Sequence, residues 1–277
     1  MTIEEFLQEI ITVFKKVGIE NPGLEAQILA AHVLSVDRFY LFLHKDEELD
    51  DKVLLASAAL INERCKRRPL QYVMGKANFY GIDLAVDERV LIPRPETEEL
   101  VEAALKLMED KKNPSVLDLC TGSGCIACAV AANKKDADVT ASEYSLKAYQ
   151  LASYNCRPYE NIKLKRANLL EGLNVYDFIL TNPPYIPTDV IDTLQPEVKD
   201  FEPKMALDGG KDGLDLVKKI IDEAPDHLNP QAWILMEIGD DQAEAVLEYA
   251  KRSKKYTNLE IIVDLEGKNR IFKAQKA

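Results

Sequence analysis

The sequence lacks an uninterrupted apolar run of about 20 residues, the length that a helix needs to cross a bilayer. Its first residues, MTIEEFLQEI, are acidic and amphipathic, and they lack the basic segment and apolar stretch of a secretory signal. A basic excess is also missing, since the net charge is −12. Such a charge argues against a partner held mainly by phosphate electrostatics. We therefore expect a cytoplasmic protein without membrane association or stable nucleic-acid binding.

Cysteine is scarce and odd in number, at 5 residues with no secretory signal before them. Such a set does not pair into a disulfide framework, and it fits reduced thiols in a reducing compartment. The sequence also shows no obvious internal repeat and no low-complexity segment.

With 277 residues, the chain exceeds the usual size of one domain and predicts a small domain beside a larger one. Residues 1–70 have helical periodicity: Thr2 and Glu5 form a capping-box pattern, Asn21 and Pro22 mark a second helix start, and residues 50–66 are a further helical candidate. They predict a helical bundle domain. Apolar residues broken by Gly75 and Gly81 predict a strand pair over 71–92, a β-hairpin linker to a third segment, 93–277.

From Ser115 onward, short apolar strands alternate with helical segments. The predicted strands are 115–119, 138–142, 162–166, 176–181, 232–238, 259–265 and 270–274. This alternation predicts an α/β fold with a mostly parallel sheet covered by helices on both faces. In such sheets ligands bind at the carboxyl ends of the strands, so the residues after each strand are the candidates for a site.

The first of these strands runs into 118 DLCTGSGCIAC 128. Gly122 and Gly124 permit a tight turn and a close approach of backbone to a ligand, and a helix then begins near Ile126. Glu143, about 20 residues on, ends the second strand, where an acidic side chain suits the two hydroxyls of a ribose. Because the loop lacks a third glycine and a phosphate-binding lysine, a nucleoside without phosphates fits better than NAD or ATP.

The same stretch permits a rival interpretation as an iron–sulfur site. Cys120, Cys125 and Cys128 have the C-x4-C-x2-C spacing of a plant-type cluster, and Cys156 is a candidate fourth ligand. Against this, Cys125 and Cys128 fall at the start of an apolar helix, where a buried cysteine commonly packs as a small hydrophobe. The packing interpretation is favoured, and we expect no bound metal.

The fourth strand ends in Asn182, Pro183, Pro184 and Tyr185. The two prolines fix the backbone and leave two positions without an N–H donor, so the loop is stiff and rich in acceptors. The Asn182 side-chain oxygen and a nearby carbonyl can accept both hydrogens of a substrate NH₂ group, while the Tyr185 ring covers a flat group beside it. An Asn-Pro turn with a core tyrosine is the structural alternative.

These motifs together resemble the class I S-adenosylmethionine-dependent methyltransferases and, more closely, the peptide chain release factor glutamine methyltransferases. The segments that carry the closer resemblance are 68 RPLQYVMG 75, 78 NFYG 81, 91 LIPRPETEELVE 102, 182 NPPYIP 187, 202 EP 203, 206 ALDGGKDGLD 215 and 235 LMEIG 239. The NPPY stretch alone is also shared by DNA adenine methyltransferases. The resemblance implies a Rossmann-like sheet that follows an N-terminal helical domain with a role in substrate recognition.

The resemblance also implies the reaction: transfer of a methyl group from S-adenosylmethionine, leaving S-adenosylhomocysteine, to the side-chain amide nitrogen of the glutamine in the Gly-Gly-Gln motif of release factors. The protein partner is then a release factor, and a monomer is expected. Two alternatives stay open, a nucleic-acid adenine N6-methyltransferase and the iron–sulfur redox protein.

Site residues follow from the resemblance position by position. The implied catalytic residues are Asn182, Pro183 and Tyr185. The implied cofactor-binding residues are Cys120, Thr121, Gly122, Ser123, Gly124, Glu143, Asn168, Leu169 and Asn182. The implied substrate-binding residues are Asn182, Pro183, Pro184, Tyr185, Arg94 and Thr97.

Three positions depart from the family pattern, and all three bear on the cofactor. Cys120 stands where glycine is usual, so the loop there either has an ordinary backbone conformation or accepts strain. Glu143 replaces the common aspartate with one more methylene. Asn168 replaces an acidic residue and lacks its charge.

Overall fold

The computed structural model describes all 277 residues, which divide into two compact units. The smaller unit consists of Met1–Lys76 together with Gln195–Phe201, and the larger one consists of Ala77–Leu194 and Glu202–Ala277. No helix is both long and apolar enough to span a membrane.

Eleven α-helices and nine strands make up the two units. In chain order they are α1 (Ile3–Lys16), α2 (Pro22–Leu34), α3 (Arg38–Leu43), α4 (Asp51–Cys65), α5 (Leu70–Met74), β1 (Lys76–Phe79), β2 (Ile82–Ala85), α6 (Pro95–Leu107), β3 (Ser115–Leu119), α7 (Cys125–Asn133), β4 (Asp138–Glu143), α8 (Leu146–Cys156), β5 (Ile162–Arg166), β6 (Tyr176–Thr181), α9 (Pro196–Lys199), α10 (Asp215–Glu223), β7 (Leu228–Glu237), α11 (Ala243–Ser253), β8 (Tyr256–Val263) and β9 (Asn269–Lys276). Short 3₁₀ turns occupy Ile191–Thr193, Lys204–Ala206 and Ala224–His227.

The smaller unit is the helical bundle that the periodicity predicts. At the start of α1, Thr2 and Glu5 form the capping box, because the Thr2 hydroxyl accepts from the Glu5 N–H and the Glu5 carboxylate accepts from the Thr2 N–H. Asn21 precedes α2 but makes no side-chain cap. The bundle core is formed by fully buried apolar side chains, which include Phe6, Ile10, Phe14, Leu29 and Leu41.

A segment distant in sequence, Gln195–Phe201, completes the helical unit. Glu197 in α9 accepts hydrogen bonds from Arg67 at 2.6 and 2.7 Å and forms an ion pair with Arg64 at 2.9 Å. Arg64 also pairs with Glu25 of α2, with 2.5 Å between Nε and Oε2, and its side chain is only 3% exposed. Because a buried cation is stable only when it is paired, this cluster ties the segment to α2 and α4.

Between the bundle and the sheet, the predicted strand pair over 71–92 is partly wrong. Residues 70–74 form helix α5, which begins after Pro69 and ends at Gly75 with φ of 70°. The strands are confined to β1 and β2, joined at Tyr80 and Gly81, which both have positive φ as a tight hairpin turn requires. Phe79 and Leu84 from the hairpin are buried in the core of the larger unit.

The larger unit confirms the α/β prediction. All seven predicted strands are present in one sheet with the order β5-β4-β3-β6-β7-β9-β8. The pairs from β5 to β7 are parallel, whereas β9 is antiparallel to both β7 and β8. Two buried apolar clusters flank the sheet, one containing Ile179 with helix α10 and the other containing Val116 with helices α6 and α7.

The parallel strands β3, β4, β6 and β7 end at the same edge of the sheet. The glycine loop follows β3, Glu143 ends β4, and Asn182 follows β6 directly. Glu237 is the last residue of β7, beside Ile271 of β9. The register thus brings the candidate site residues to one edge.

The Arg64 cluster generates a stability prediction. We expect Arg64→Ala to lower the free energy of unfolding of the full chain by about 3 kcal/mol, because it leaves the half-buried Glu25 carboxylate without its cation and leaves Glu197 with Arg67 alone. Denaturant unfolding followed by circular dichroism measures the change. Arg252→Ala is the matched control, because Arg252 also lies in the last turn of a helix but its ion-pair partner Glu248 and its own side chain are exposed. Equal midpoints for the two variants would contradict the role of the cluster.

Candidate functional site

A cavity of about 430 Å³ lies at the carboxyl edge of the sheet. Its wall is formed by the loop after β3, the end of β4 with the start of α8, the turn after β5, and the residues that follow β6. Residues before and within the first turn of α6, among them Arg94 and Thr97, close another side. The volume is in the range of sites for small organic ligands.

The loop after β3 is held by a buried carboxylate. One oxygen of Asp118 accepts hydrogen bonds from the Thr121 hydroxyl and from the Ala127 N–H at 2.9 Å. Burial raises the pKa of Asp118 to about 7, although these two donors favour its charged form. Gly124 precedes α7 with φ of 85°, and a Cβ there would lie 2.9 Å from the Cys156 sulfur. Glycine is therefore required at this position by both backbone and space.

Glu143 closes the loop from the neighbouring strand. Its Oε2 accepts from the Gly122 N–H at 3.0 Å, and its Oε1 accepts from the Ser145 N–H at 2.8 Å. Burial raises its pKa above the usual value of 4.5, and the backbone donors act in the opposite direction. A carboxylate offers about four acceptor positions. Glu143 thus ties β3 to β4 and retains acceptor capacity towards the cavity that it lines.

Two non-glycine residues of the cavity wall have left-handed backbone conformations. Cys120 has φ of 60° and Leu169 has φ of 50°. Of the two possibilities for Cys120, the structure has the strained one. Such conformations cost of order 1–3 kcal/mol and persist where the surroundings fix the backbone, often at functional sites.

The cysteines do not form a ligand cluster. No group of three cysteine, histidine, aspartate or glutamate side chains lies together as metal ligands require. Cys128 and Cys156 are buried with their sulfurs 3.8 Å apart, and burial raises the pKa of Cys120 and of Cys125 to about 12. The thiols of Cys120 and Cys125 therefore stay protonated, and the buried Cys128 and Cys156 pack as small hydrophobes.

Asn182 is held by a chain of hydrogen bonds that leads to a buried carboxylate. Its Nδ2 donates to Thr97 Oγ1 at 3.1 Å, and the Thr97 hydroxyl donates to Glu237 Oε2 at 2.6 Å. The Tyr185 hydroxyl donates to the other oxygen, Glu237 Oε1, at 3.0 Å. Burial raises the pKa of Glu237, while both hydroxyls and the charge of Arg270 favour ionisation.

Glycines from a second loop hold the backbone of Tyr185. A Cβ on Gly209 would lie 2.7 Å from the Tyr185 Cα, and a Cβ on Gly213 would lie 2.2 Å from the Tyr185 carbonyl oxygen. That carbonyl accepts from Gln242 Nε2 at 2.8 Å, and the Gln242 oxygen accepts from the Gly239 N–H at 2.8 Å. The stretch 206 ALDGGKDGLD 215 is therefore explained by its close packing on the NPPY loop.

Arg94 and Glu202 join two further motifs beside the cavity. Arg94 Nη2 donates to Glu202 Oε2 at 2.7 Å, and the Glu202 side chain is 1% exposed. Burial raises the pKa of Glu202, and the guanidinium opposes that shift. The pair links the segment before α6 with the segment after β6 within the larger unit.

Comparison with known proteins agrees with this geometry. Residues 5–75 match the family model of the PrmC N-terminal domain, and residues 99–194 match the methyltransferase small domain. A release factor glutamine methyltransferase of Geobacter sulfurreducens is 42% identical over 239 residues, which cover 85% of this chain and 84% of that protein. One from Koribacter versatilis is 36% identical over 280 residues, which cover 100% and 99%.

The chain belongs to the release factor glutamine methyltransferase family. Solved structures agree on the fold: a methyltransferase from Pyrococcus furiosus has a TM-score of 0.54 at 19% identity and covers 81% of this chain and 98% of that one. A human methyltransferase 10 domain containing protein has a TM-score of 0.52 at 19% identity, with coverage of 72% and 90%. At such identities the likeness shows the class I methyltransferase fold alone.

S-adenosylmethionine is the methyl donor of this methyltransferase family, and the cavity fits it. Glu143 has free acceptor positions for ribose hydroxyls, and the apolar Leu169 lies in the same wall. Ser142 Oγ is buried in the wall without a hydrogen-bond partner, so a polar ligand can satisfy it. The residues that would hold the donor are thus those of the glycine loop, Glu143 and Leu169.

All but three of the predicted site residues line this cavity. Wall residues include Cys120, Thr121, Gly122, Ser123, Glu143, Asn168, Leu169, Asn182, Pro184, Arg94 and Thr97. Gly124 stands just behind, where α7 begins. Pro183 and Tyr185 do not line the wall, and the Tyr185 hydroxyl faces Glu237 instead. Their catalytic roles remain predictions.

The sequence patterns assign no site role to several residues, one of which, Glu237, lies in the stretch 235 LMEIG 239 that carries the family resemblance. Ser142, Lys147 and Met205 line the cavity, and Glu237 and Gln242 hold the NPPY loop from behind. Glu237 and Ser142 have a positional signal, since both stand at or beside the end of a parallel strand. Nothing local in the sequence distinguishes the other three from surface residues.

Glu143 generates a binding prediction. Because each of its oxygens accepts a backbone N–H, Glu143→Gln places an amide donor against another donor. We expect the affinity for S-adenosylhomocysteine to fall at least about tenfold, and isothermal titration calorimetry measures it. Glu244→Gln, an exposed substitution on α11, is the control. In the unchanged protein, affinity is full at pH values above the raised pKa of Glu143 and falls as the pH descends through it. Undiminished binding by Glu143→Gln would refute the assignment.

Proposed function

We propose that this methyltransferase transfers a methyl group from S-adenosylmethionine to the side-chain amide nitrogen of the glutamine in the Gly-Gly-Gln motif of peptide chain release factors. The observation that carries the proposal is how the side-chain amide of Asn182 is hydrogen-bonded. Its Nδ2 is engaged by Thr97, and its Oδ1 accepts no hydrogen bond from another residue. Asn182 lines the cavity, and its oxygen is an acceptor to which a primary amide can donate. The relatives in Geobacter sulfurreducens and Koribacter versatilis are named release factor glutamine methyltransferases, which supports the same substrate.

An amide nitrogen is a weak nucleophile because its lone pair is delocalised into the carbonyl group. In our proposal, Asn182 Oδ1 accepts one N–H of the glutamine amide and the Pro183 carbonyl accepts the other. Two acceptors on the two N–H groups raise the electron density on nitrogen and fix the direction of its lone pair. The stiffness that two successive prolines give to the loop keeps both acceptors in place.

The methyl donor, when bound, supplies an electrophilic methyl group on a sulfonium sulfur. The glycine loop, Glu143 and Leu169 hold the donor so that this group faces Asn182. No residue has to remove a proton before transfer, because the methylated amide is acidic enough to release one to water. Asn182 thus acts as an acceptor and a positioning group rather than as a base.

We propose that the helical unit docks the release factor. Phe39, Phe42 and Leu43 lie on one side of α3, with i, i+3, i+4 spacing, and are 70%, 78% and 66% exposed. An apolar strip of this kind on a charged protein indicates an interaction surface. A protein partner with an apolar contact of its own fits it, and the match to the PrmC N-terminal domain supports a role specific to this family.

The rival substrate is an adenine in a nucleic acid, which the NPPY stretch alone permits. The net charge of −12 disfavours it, because a nucleic-acid enzyme needs a basic face for the phosphates. We therefore propose a cytoplasmic enzyme that acts as a monomer on a protein and forms no stable complex with nucleic acid.

Incubation with methyl-labelled S-adenosylmethionine tests the function. Purified release factor, tRNA and DNA serve as separate acceptors, and peptide mass mapping finds the modified residue. We expect label only on the Gly-Gly-Gln glutamine. Asn182→Ala should lower kcat by about 10²–10³-fold with unchanged cofactor affinity, since it removes one preorganised group. Label on nucleic acid would overturn the proposed substrate, and undiminished turnover by Asn182→Ala would overturn its role. Asn258→Ala, at an exposed position, is the control.

The docking surface has its own test. Phe39→Ser combined with Phe42→Ser should raise the KM for intact release factor about tenfold, because two aromatic anchors are lost, and leave kcat unchanged. A pair of exposed residues of the larger unit outside the cavity wall, Tyr154→Ser with Leu265→Ser, provides the comparison. An unaltered KM for the α3 variant would remove this surface from recognition.

A further inference from the structure

We infer that Thr97 and Glu237 are positioning residues that set the orientation of the Asn182 side-chain amide, so that its oxygen and not its nitrogen faces the substrate. The inference rests on the proposed function and goes beyond it, because neither residue is required to touch the glutamine. It is carried by the direction of the hydrogen bonds between Asn182, Thr97, Glu237 and Tyr185.

The direction follows from counting protons at Thr97. A threonine hydroxyl has one proton and two acceptor positions. Its proton lies on the short contact to Glu237 Oε2, at 2.6 Å. With that proton committed, Thr97 Oγ1 can only accept from Asn182, and the group that approaches it must be the NH₂ of the amide, at 3.1 Å.

Glu237 sets the direction of the hydrogen bonds that run from Asn182 through Thr97 to its carboxylate. Burial raises the pKa of Glu237, and the hydroxyls of Thr97 and Tyr185 together with Arg270 act against that shift. When ionised, the carboxylate accepts only, and each of its oxygens receives a hydroxyl donor, from Thr97 and from Tyr185. The Tyr185 hydroxyl makes its hydrogen bond with this carboxylate, and Arg270 of β9 adds a favourable charge. Replacing the carboxylate with a group that cannot accept would free the Thr97 proton to turn towards Asn182.

The consequence reaches the substrate through Asn182. With Nδ2 on Thr97, Oδ1 is the free end of the amide, and it matches an N–H of a primary amide. In the opposite orientation, the Asn182 NH₂ would meet the substrate NH₂, and two donors would face each other. A glutamate side chain fails at the same place, because its carboxylate would meet the Asn182 and Pro183 oxygens. The hydrogen bonds that orient Asn182 thus contribute to the selection of glutamine over glutamate.

Packing keeps the orientation fixed. Thr97 is 2% exposed in the first turn of α6, and Glu237 is 1% exposed at the end of β7. Asn182 and Tyr185 are joined through two prolines, and Gln242 holds the Tyr185 carbonyl. Because all groups are buried or anchored to regular elements, no neighbour can turn without breaking a hydrogen bond in a low-dielectric site.

The test compares Thr97→Val with Thr97→Ser on intact release factor. Valine keeps the shape but cannot accept, so kcat should fall about 10- to 100-fold, as misorientation of a reacting group does. The KM for release factor should change less than kcat, because one hydrogen bond is a small part of the contact with a protein partner, and the S-adenosylhomocysteine affinity should stay within about twofold. Serine restores the hydroxyl and should return kcat to within about threefold of the unchanged enzyme. Thr140→Val, a buried threonine in β4 outside the cavity wall, is the matched control.

A double-mutant cycle tests Glu237 itself. If Glu237→Leu acts through Thr97, the variant with both Glu237→Leu and Thr97→Val loses no more kcat than the more damaging single variant. If the loss of kcat in the double variant equals the product of the two single losses, Glu237 does not act through Thr97. Equal kcat for Thr97→Val and the unchanged enzyme would also contradict the inference. Circular dichroism and cofactor binding confirm that each variant is folded. An unchanged enzyme that fails to label release factor would instead refute the proposed function, so the two failures are distinct.

Discussion

The hydrogen bond between the Thr97 hydroxyl and the buried Glu237 carboxylate is the interaction on which the site depends. A carboxylate at the end of a central strand needs donors, because burial removes its hydration. Thr97 and Tyr185 provide them, and each donation has a consequence: one orients Asn182, and the other anchors the aromatic residue of the NPPY loop. The Glu237 carboxylate loses its hydration by burial, yet it organises the NPPY loop beside the cavity.

The remaining motifs surround this interaction. Gly209 and Gly213 are glycines because the Tyr185 backbone occupies the space of their side chains. Gln242 fixes the Tyr185 carbonyl, and the Arg94–Glu202 pair fixes the segments that lead into and away from the site. On the other side of the cavity, Asp118 and Glu143 accept backbone hydrogen bonds and hold the glycine loop, as Glu237 holds the NPPY loop through Tyr185. Two buried carboxylates and the half-buried Glu143 thus fix the backbone where the two ligands are proposed to meet.

Local pattern predicts the seven strands of the large sheet and one half of the site. Strand ends identify the glycine loop, Glu143 and Asn182, because parallel strands bring their carboxyl ends to one edge. Pattern fails where contacts join distant segments: Glu197 lies 130 residues after Arg67, and Glu237 lies 140 residues after Thr97. It also fails at α5, a short helix that begins after Pro69 and ends at Gly75. The apolar residues of this segment are equally compatible with a strand. The left-handed backbone at Cys120 is set by the loop around it, not by cysteine.

The orientation of Asn182 is directly measurable by neutron diffraction from deuterated crystals of the enzyme with S-adenosylhomocysteine. We predict two deuterons on the Asn182 nitrogen, one of them directed at Thr97 Oγ1, and the Thr97 deuteron directed at Glu237 Oε2. The Asn182 oxygen should then face the cavity and accept no hydrogen bond from the protein. A Thr97 deuteron directed at Asn182, or an Asn182 nitrogen that faces the cavity, would contradict the proposed site.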